Sequence, residues 1–109
     1  MANKYHNVIT ECDGIKFRSA KEANRYKELK LLLRAGEITE LELQPVFVLE
    51  PSCVLDGRKQ RCRTYTADFR YTDKNGVVTT EDCKGMRTKD YRYKRHCMKT
   101  HFNIDVLET

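Results

Sequence analysis

The stretch TADFRYTDKNGVVTTEDCKG, residues 66–85, decides how this chain is read. Asp73-Lys74-Asn75-Gly76 is a turn signal between two runs rich in β-branched and aromatic residues, so strands are predicted over 61–72 and 77–84. A three-residue loop, Lys74-Asn75-Gly76, with Gly76 in the left-handed region, closes such a hairpin with Asp73 opposite Val77. That register sets Asp68 opposite Asp82, Arg70 opposite Thr80 and Thr66 opposite Lys84. Side chains alternate along a strand, so Asp68, Asp82 and Lys84 share one face, and Glu81 points to the other. A four-residue loop would shift the register by one and weaken the pairing.

Two aspartates directly opposite each other destabilise a sheet, because their Cβ atoms lie only about 5 Å apart. The pair therefore needs a compensating cation. Lys84 supplies one positive charge, and a divalent metal would supply the rest. Hard oxygen donors favour Mg²⁺ or Mn²⁺. The competing reading is a solvated sheet face on which the two carboxylates repel weakly through water.

Outward from the hairpin, residues 41–50 (LELQPVFVLE) read as a strand, with Pro45 favouring an edge or a bulge. Residues 7–17 read as a short hairpin turning at Asp13-Gly14. A helix is expected over 19–35. Ser19 and Glu22 fit a capping box, and Gly36 stands where a left-handed residue ends a helix. Its core-facing stripe is Glu22, Tyr26, Leu29 and Leu33, headed by a carboxylate. A second helix is expected over 88–101 behind Thr88, and a last strand over 102–107. The order ββ-α-β-β-β-α-β describes an α+β (mixed α/β) fold, one domain over 1–109, with a central mixed sheet flanked by two helices.

The composition agrees with a small intracellular domain that handles a polyanion. The 109 residues carry a net charge of +5, which favours nucleic acid as the partner or, more plainly, a soluble basic protein. The five cysteines are odd in number and none is spaced CxxC, which suggests neither a disulfide framework nor a zinc site. No apolar run is long enough to span a bilayer, and no signal peptide opens the chain. From Lys84 to His101 stand seven cations, Lys84, Arg87, Lys89, Arg92, Lys94, Arg95 and Lys99, against Asp90 alone. Lys89, Arg92, His96 and Lys99 share one helix face. A second basic cluster is Arg58, Lys59, Arg61 and Arg63. Both read as phosphate contacts, or else as exposed faces tolerant of Lys and Arg. Nothing resembles a base-reading module.

Asp68, followed on the next strand by Asp82-Cys83-Lys84, resembles the D…(D/E)-x-K signature of the PD-(D/E)XK nuclease superfamily. The leading proline is absent, Ala67 standing before Asp68. Glu22 in SAKEANRY matches the helix glutamate of that superfamily. Leu43-Gln44-Pro45, the Asp82–Gly85 turn and the run from Lys4-Tyr5-His6-Asn7 to the last strand resemble a family of small phage and prophage endonucleases. The resemblance implies a restriction-endonuclease-like core and a cytoplasmic, phage- or prophage-encoded enzyme in a bacterial host. It also implies Mg²⁺- or Mn²⁺-dependent DNA cleavage, with branched or recombination-intermediate DNA among the candidate substrates, and a homodimer, since two strand cuts need two sites.

On this reading Asp68 and Asp82 bind metal, with the Cys83 backbone carbonyl and Glu22 completing the shell. Lys84 orients the attacking water or neutralises charge on the phosphorane. Glu22 keeps its alternative as a helix cap bonded only to Ser19. Gln44 is either a substrate contact or an ordinary polar residue on an edge strand. The competing functions are a non-catalytic DNA-binding accessory protein and an RNA nuclease. An intact Asp68/Asp82/Lys84 set argues against the first.

Overall fold

The computed structural model describes residues 8–83 and 87–109. Lys84, and with it the Thr66–Lys84 pairing, lies outside the described residues. The chain forms the strands β1 (Thr10–Cys12) and β2 (Ile15–Phe17), helix α1 (Ala20–Arg34), and strands β3 (Ile38–Leu43), β4 (Val46–Glu50), β5 (Cys53–Leu55), β6 (Arg58–Gln60), β7 (Arg63–Thr66), β8 (Phe69–Asp73) and β9 (Val78–Asp82). Helix α2 (Lys89–Phe102) and strand β10 (Leu107–Glu108) follow. This is the α+β fold expected.

The central sheet has the order β10-β9-β8-β3. It is mixed, because β10 runs parallel to β9 while the other neighbours are antiparallel. The β8–β9 hairpin takes the register read from its turn: Phe69 faces Glu81 and Arg70 faces Thr80. Asp73 N–H donates to Val77 O, and the Asp73 carboxylate accepts from the Asn75 and Val77 amides. That Asx arrangement locks the loop, and Gly76 adopts φ 79°, where a side chain would be strained.

Helix α1 begins where its cap predicts. The Ser19 hydroxyl accepts from Glu22 N–H, one half of the capping box. It ends in a Schellman motif, with Glu37 N–H on Leu32 O and Gly36 N–H on Leu33 O. Its buried residues are Glu22, Ala23, Tyr26 and Leu29, so the carboxylate at the head of the stripe does turn inward, while Leu33 is half-buried. Ala23, Tyr26 and Leu29 pack with Phe17, Ile38, Phe69 and Tyr71 on one side of the sheet. A second core joins Tyr91, Cys97 and Met98 of α2 to Phe47, Leu49, Tyr65, Ala67 and Val106.

Three expected strands need correction. Residues 41–50 are two strands, parted at Gln44-Pro45, and 61–72 are two strands, parted at Ala67-Asp68. The breaks coincide: Gln44 N–H donates to Asp68 O, and Ala67 N–H donates to Pro45 O. Gln44 sits at φ 51°. Before this crossing β3 pairs with β8; beyond it β4 pairs with β7, so Thr66 faces Val46. Proline has no N–H for a continuous ladder, and the chain changes sheets there. The third correction is the C-terminal strand. Residues 102–107 do not form it, because α2 runs on to Phe102 and stops at Asn103, left-handed at φ 56°. Only Leu107–Glu108 pair with β9.

Between β4 and β7 the chain forms a further hairpin that the sequence expectations do not include. Asp56-Gly57, both at positive φ, close a two-residue hairpin between β5 and β6. A DG dipeptide between extended runs is itself a hairpin signal.

Candidate metal and phosphate site

The site lies where β8 starts and β9 ends. Asp68 N–H donates to Glu81 O, extending the hairpin ladder by one bond beyond Phe69. This holds the Asp68 side chain over the end of β9, where its carboxylate accepts from the Cys83 amide at 2.7 Å. The Asp82 carboxyl adjoins that of Asp68 and acts on it. Two carboxyls so placed favour a proton or a cation at the pair. The paired register ends at Phe69 opposite Glu81, so Asp68 and Asp82 adjoin just beyond the ladder and are not an opposed pair within it.

Asp82 is 1 % exposed, enclosed by the α2-side core, and accepts a hydrogen bond from the Tyr65 hydroxyl. Burial and that carboxylate together hold the Tyr65 phenol protonated, far above its usual range. Asp68 is pushed up to about 8, first by burial, then by the hydrogen bond and charge of Asp82, with the Glu22 charge adding to it; the Cys83 amide pulls the other way. The carboxylates acting on Asp68 thus make it easier to protonate, and would equally favour a bound cation. Glu22 is 4 % exposed and near enough to act electrostatically on both Asp68 and Cys83. Even so, among the described residues no group of three or more His, Cys, Asp and Glu side chains is arranged to hold a metal ion. Glu22 stands beside the aspartate pair without completing a three-carboxylate cluster.

Glu81 goes to the opposite face, as alternation requires, but it is far from an idle neighbour. It is fully buried and takes a bidentate pair from Arg25, at 2.8 and 2.7 Å, and a hydrogen bond from Tyr71. Arg25 also reaches Glu28 at 2.9 Å. Sequence reading set Glu81 aside and did not foresee Arg25. The one available signal is that Arg25 stands three residues after Glu22, on the same side of α1. Arg25 also lines a cleft of about 550 Å³ with Lys21, Asn24, Glu28, Cys83 and Thr109. That cleft opens beside the aspartate pair.

The expected phosphate contacts divide into two groups. Gln44 is exposed and reaches the site through its backbone amide on Asp68 O. On α2, Arg92, Arg95 and Lys99 line a groove of about 260 Å³ with His96. Most of the helix cations are already matched, however. Arg87 and Arg95 pair with Glu108 at 2.8 and 3.0 Å, Lys94 with Asp90 at 3.4 Å, and Lys99 with Asp105 at 2.9 Å. Burial pulls the Glu108 carboxyl up, but hydrogen bonds from Arg87 and Tyr91 and the charge of Arg95 outweigh it and hold the group below its usual range. Lys89 and Arg92 are exposed. All five cysteines are free thiols. Among the described residues no helix is long and apolar enough to cross a membrane.

The chain belongs to the family described as "Protein of unknown function (DUF1064)", whose model matches residues 2–107. No curated protein and no solved structure matches it.

Proposed function

We propose that this DUF1064 member is a metal-dependent phosphodiesterase that cuts DNA, acting as an endonuclease. One observation carries the reading: two adjoining carboxyls from facing strand ends, the half-buried Asp68 and the buried Asp82, with the charge of Glu22 also acting on Asp68.

The donor set fits a hard divalent cation, Mg²⁺ or Mn²⁺, because carboxylate oxygens are its preferred ligands. Asp68 and Asp82 would hold it, with the Cys83 carbonyl and Glu22 as further donors. When bound, it supplies a polarised phosphate oxygen and a water of lowered pKa. Tyr65 fixes the Asp82 carboxylate by its hydrogen bond, and the Cys83 amide fixes that of Asp68. Both carboxylates are thereby set before substrate arrives, which is worth most in a site that excludes water. Lys84, two residues past Asp82, is assigned the orientation of the attacking water or the charge on the phosphorane. The basic balance of the chain supplies attraction for the phosphate backbone.

The test is a panel of linear duplex, single-stranded, flap and four-way-junction DNA, with RNA, incubated with Mg²⁺, Mn²⁺ or EDTA. Cleavage of DNA with either metal and none in EDTA is expected. Cleavage surviving EDTA overturns the metal mechanism. Cleavage of RNA alone favours the RNA nuclease, and binding without cleavage favours the accessory protein.

A further inference from the structure

The chain from β4 to β7 is one long antiparallel ribbon. The β4–β7 ladder runs from Val46 opposite Thr66 to Glu50 opposite Arg63. The β5–β6 ladder continues it from Cys53 opposite Gln60 to Leu55 opposite Arg58. The root packs on α2 through Phe47, Leu49 and Tyr65. Beyond it no described residue packs on the ribbon: every residue from 51 to 62 is exposed, with Val54 at 73 % and Leu55 at 60 %. At about 3.3 Å per residue, the segment from Glu50 to the tip reaches roughly 20 Å past the root. The shape of the molecule registers this arm. Its radius of gyration is 16.0 Å, against about 13 Å for a compact chain of this length.

The arm's charge is one-sided. Residues 51–63 hold Arg58, Lys59, Arg61 and Arg63 against Asp56 alone. Whereas Arg87, Lys94, Arg95 and Lys99 of the α2 region are matched by acids, Arg58, Lys59 and Arg61 have no ion pair among the described residues. Charges already matched within the chain offer a phosphate less than unmatched ones do. The root of the arm is tied to the candidate site, since Thr66 stands two residues before Asp68 and Gln44, two before Val46, bonds to Asp68 O.

We infer that the β5–β6 ribbon is a DNA-grasping arm that lies in the major groove of a duplex whose backbone passes Asp68. The inference rests on the nucleic-acid part of the proposed function, not on cleavage. A two-stranded ribbon fits the B-form major groove, about 12 Å wide. Arg58, Lys59 and Arg61 meet phosphates, and the exposed Val54 and Leu55 meet base methyl groups or sugars. A-form RNA has a major groove too narrow for such an arm, so duplex DNA is the preferred partner. Self-association through Val54 and Leu55 is opposed by the like charges that each copy would bring.

The test compares the full chain with the triple variant Arg58→Ala/Lys59→Ala/Arg61→Ala. A control triple, Lys16→Ala/Lys27→Ala/Arg34→Ala, removes the same charge from the α1 side. Binding of a labelled DNA duplex is followed by anisotropy in EDTA at several salt concentrations, with a duplex RNA of the same sequence in parallel. All substituted residues are exposed, and circular dichroism checks the fold. The ribbon variant is expected to bind DNA roughly tenfold or more weakly, with a log K against log [salt] slope shallower by about 2 to 3. The control should change binding less than threefold, and wild-type protein should prefer DNA to RNA.

Equal losses in the two triples, an unchanged slope, equal binding to RNA, or a dimer in sedimentation that the ribbon variant dissolves would each overturn the inference. An enzyme that cuts DNA but whose ribbon variant binds like wild type defeats this inference alone. A protein that binds through the ribbon yet never cuts defeats only the catalytic reading.

Discussion

Glu81 and Asp82 are neighbours on one strand, 0 % and 1 % exposed, and they meet opposite fates. Glu81 turns toward α1 and is neutralised from within by the forked guanidinium of Arg25 and the hydroxyl of Tyr71. Asp82 turns the other way and meets a second carboxyl, Asp68, together with the hydroxyl of Tyr65. Each acid has a tyrosine; what differs is the third partner. The guanidinium forms an ion pair with Glu81, while the second carboxyl beside Asp82 raises the cost of charging both acids. Burial alone therefore does not distinguish the two acids; the groups around them do.

The largest effect should come from exchanging charge for amide on the two sides. Asp82→Asn keeps shape and the bond from Tyr65, and is expected to lower DNA cleavage by roughly a hundredfold or more while the fold survives. Glu81→Gln should do the reverse, leaving Arg25 half-satisfied and lowering the melting temperature while cleavage stays within a few-fold. Cleavage assays and thermal melts on both variants decide it. If both lose activity equally at equal stability, the distinction between the two faces is void.

Next in size is Arg25→Ala, which leaves Glu81 buried without its cation. The expected cost is about 3 kcal/mol, the low end for a broken buried pair because the Arg25 side chain is 23 % exposed. Urea denaturation measures it. A cost below 1 kcal/mol would mean that Glu81 takes a proton instead.

The pH dependence sharpens the same contrast. The Asp68 pKa is raised by burial and by Asp82 to about 8, against about 3.9 in an unfolded chain. The folded state therefore holds its proton more tightly. The stability this contributes is full below pH 4 and is lost as pH climbs through about 8. Metal-free protein should melt progressively lower across that window, and Asp68→Asn should flatten the loss and melt higher than wild type at the alkaline end. Added Mn²⁺ should raise the melting temperature of wild type there and leave Asp68→Asn unmoved. Melts in EDTA and in Mn²⁺ across the window are the check; a wild type that gains stability with rising pH would contradict the raised Asp68 pKa.

The smallest effects compare the two tyrosines. Tyr65→Phe and Tyr71→Phe each remove one hydrogen bond to a buried carboxylate, for about 1 kcal/mol or slightly more. Only Tyr65→Phe should also change the metal concentration needed for half-maximal cleavage. A matching change in Tyr71→Phe would show that the faces are coupled.

Much of this was legible in local sequence. Asp73–Gly76 set the β8–β9 register and with it the meeting of Asp68 and Asp82, because a tight turn admits few loop geometries. Ser19, Gly36 and Thr88 marked three helix ends through their own backbone bonds. Asp56-Gly57 is equally plain as a turn, but the flanking Cys53–Leu55 and Arg58–Gln60 are too short, and the second too polar, to declare strands. The coincident breaks at Gln44-Pro45 and Ala67-Asp68 were not legible, since neither dipeptide declares the other. Nor was Arg25 with Glu81, a pair 56 residues apart.

The sequence by itself determined the two helices, the β8–β9 hairpin register and which side of β9 each acid faces, because turns, caps and strand alternation act over a few residues. Tertiary structure decided what each acid would meet: Arg25 carried over one face by α1, Tyr65 and Asp68 brought to the other by a strand that changes sheets. Charge balance in a buried site is set by distances between segments, and those distances exist only once the chain has folded.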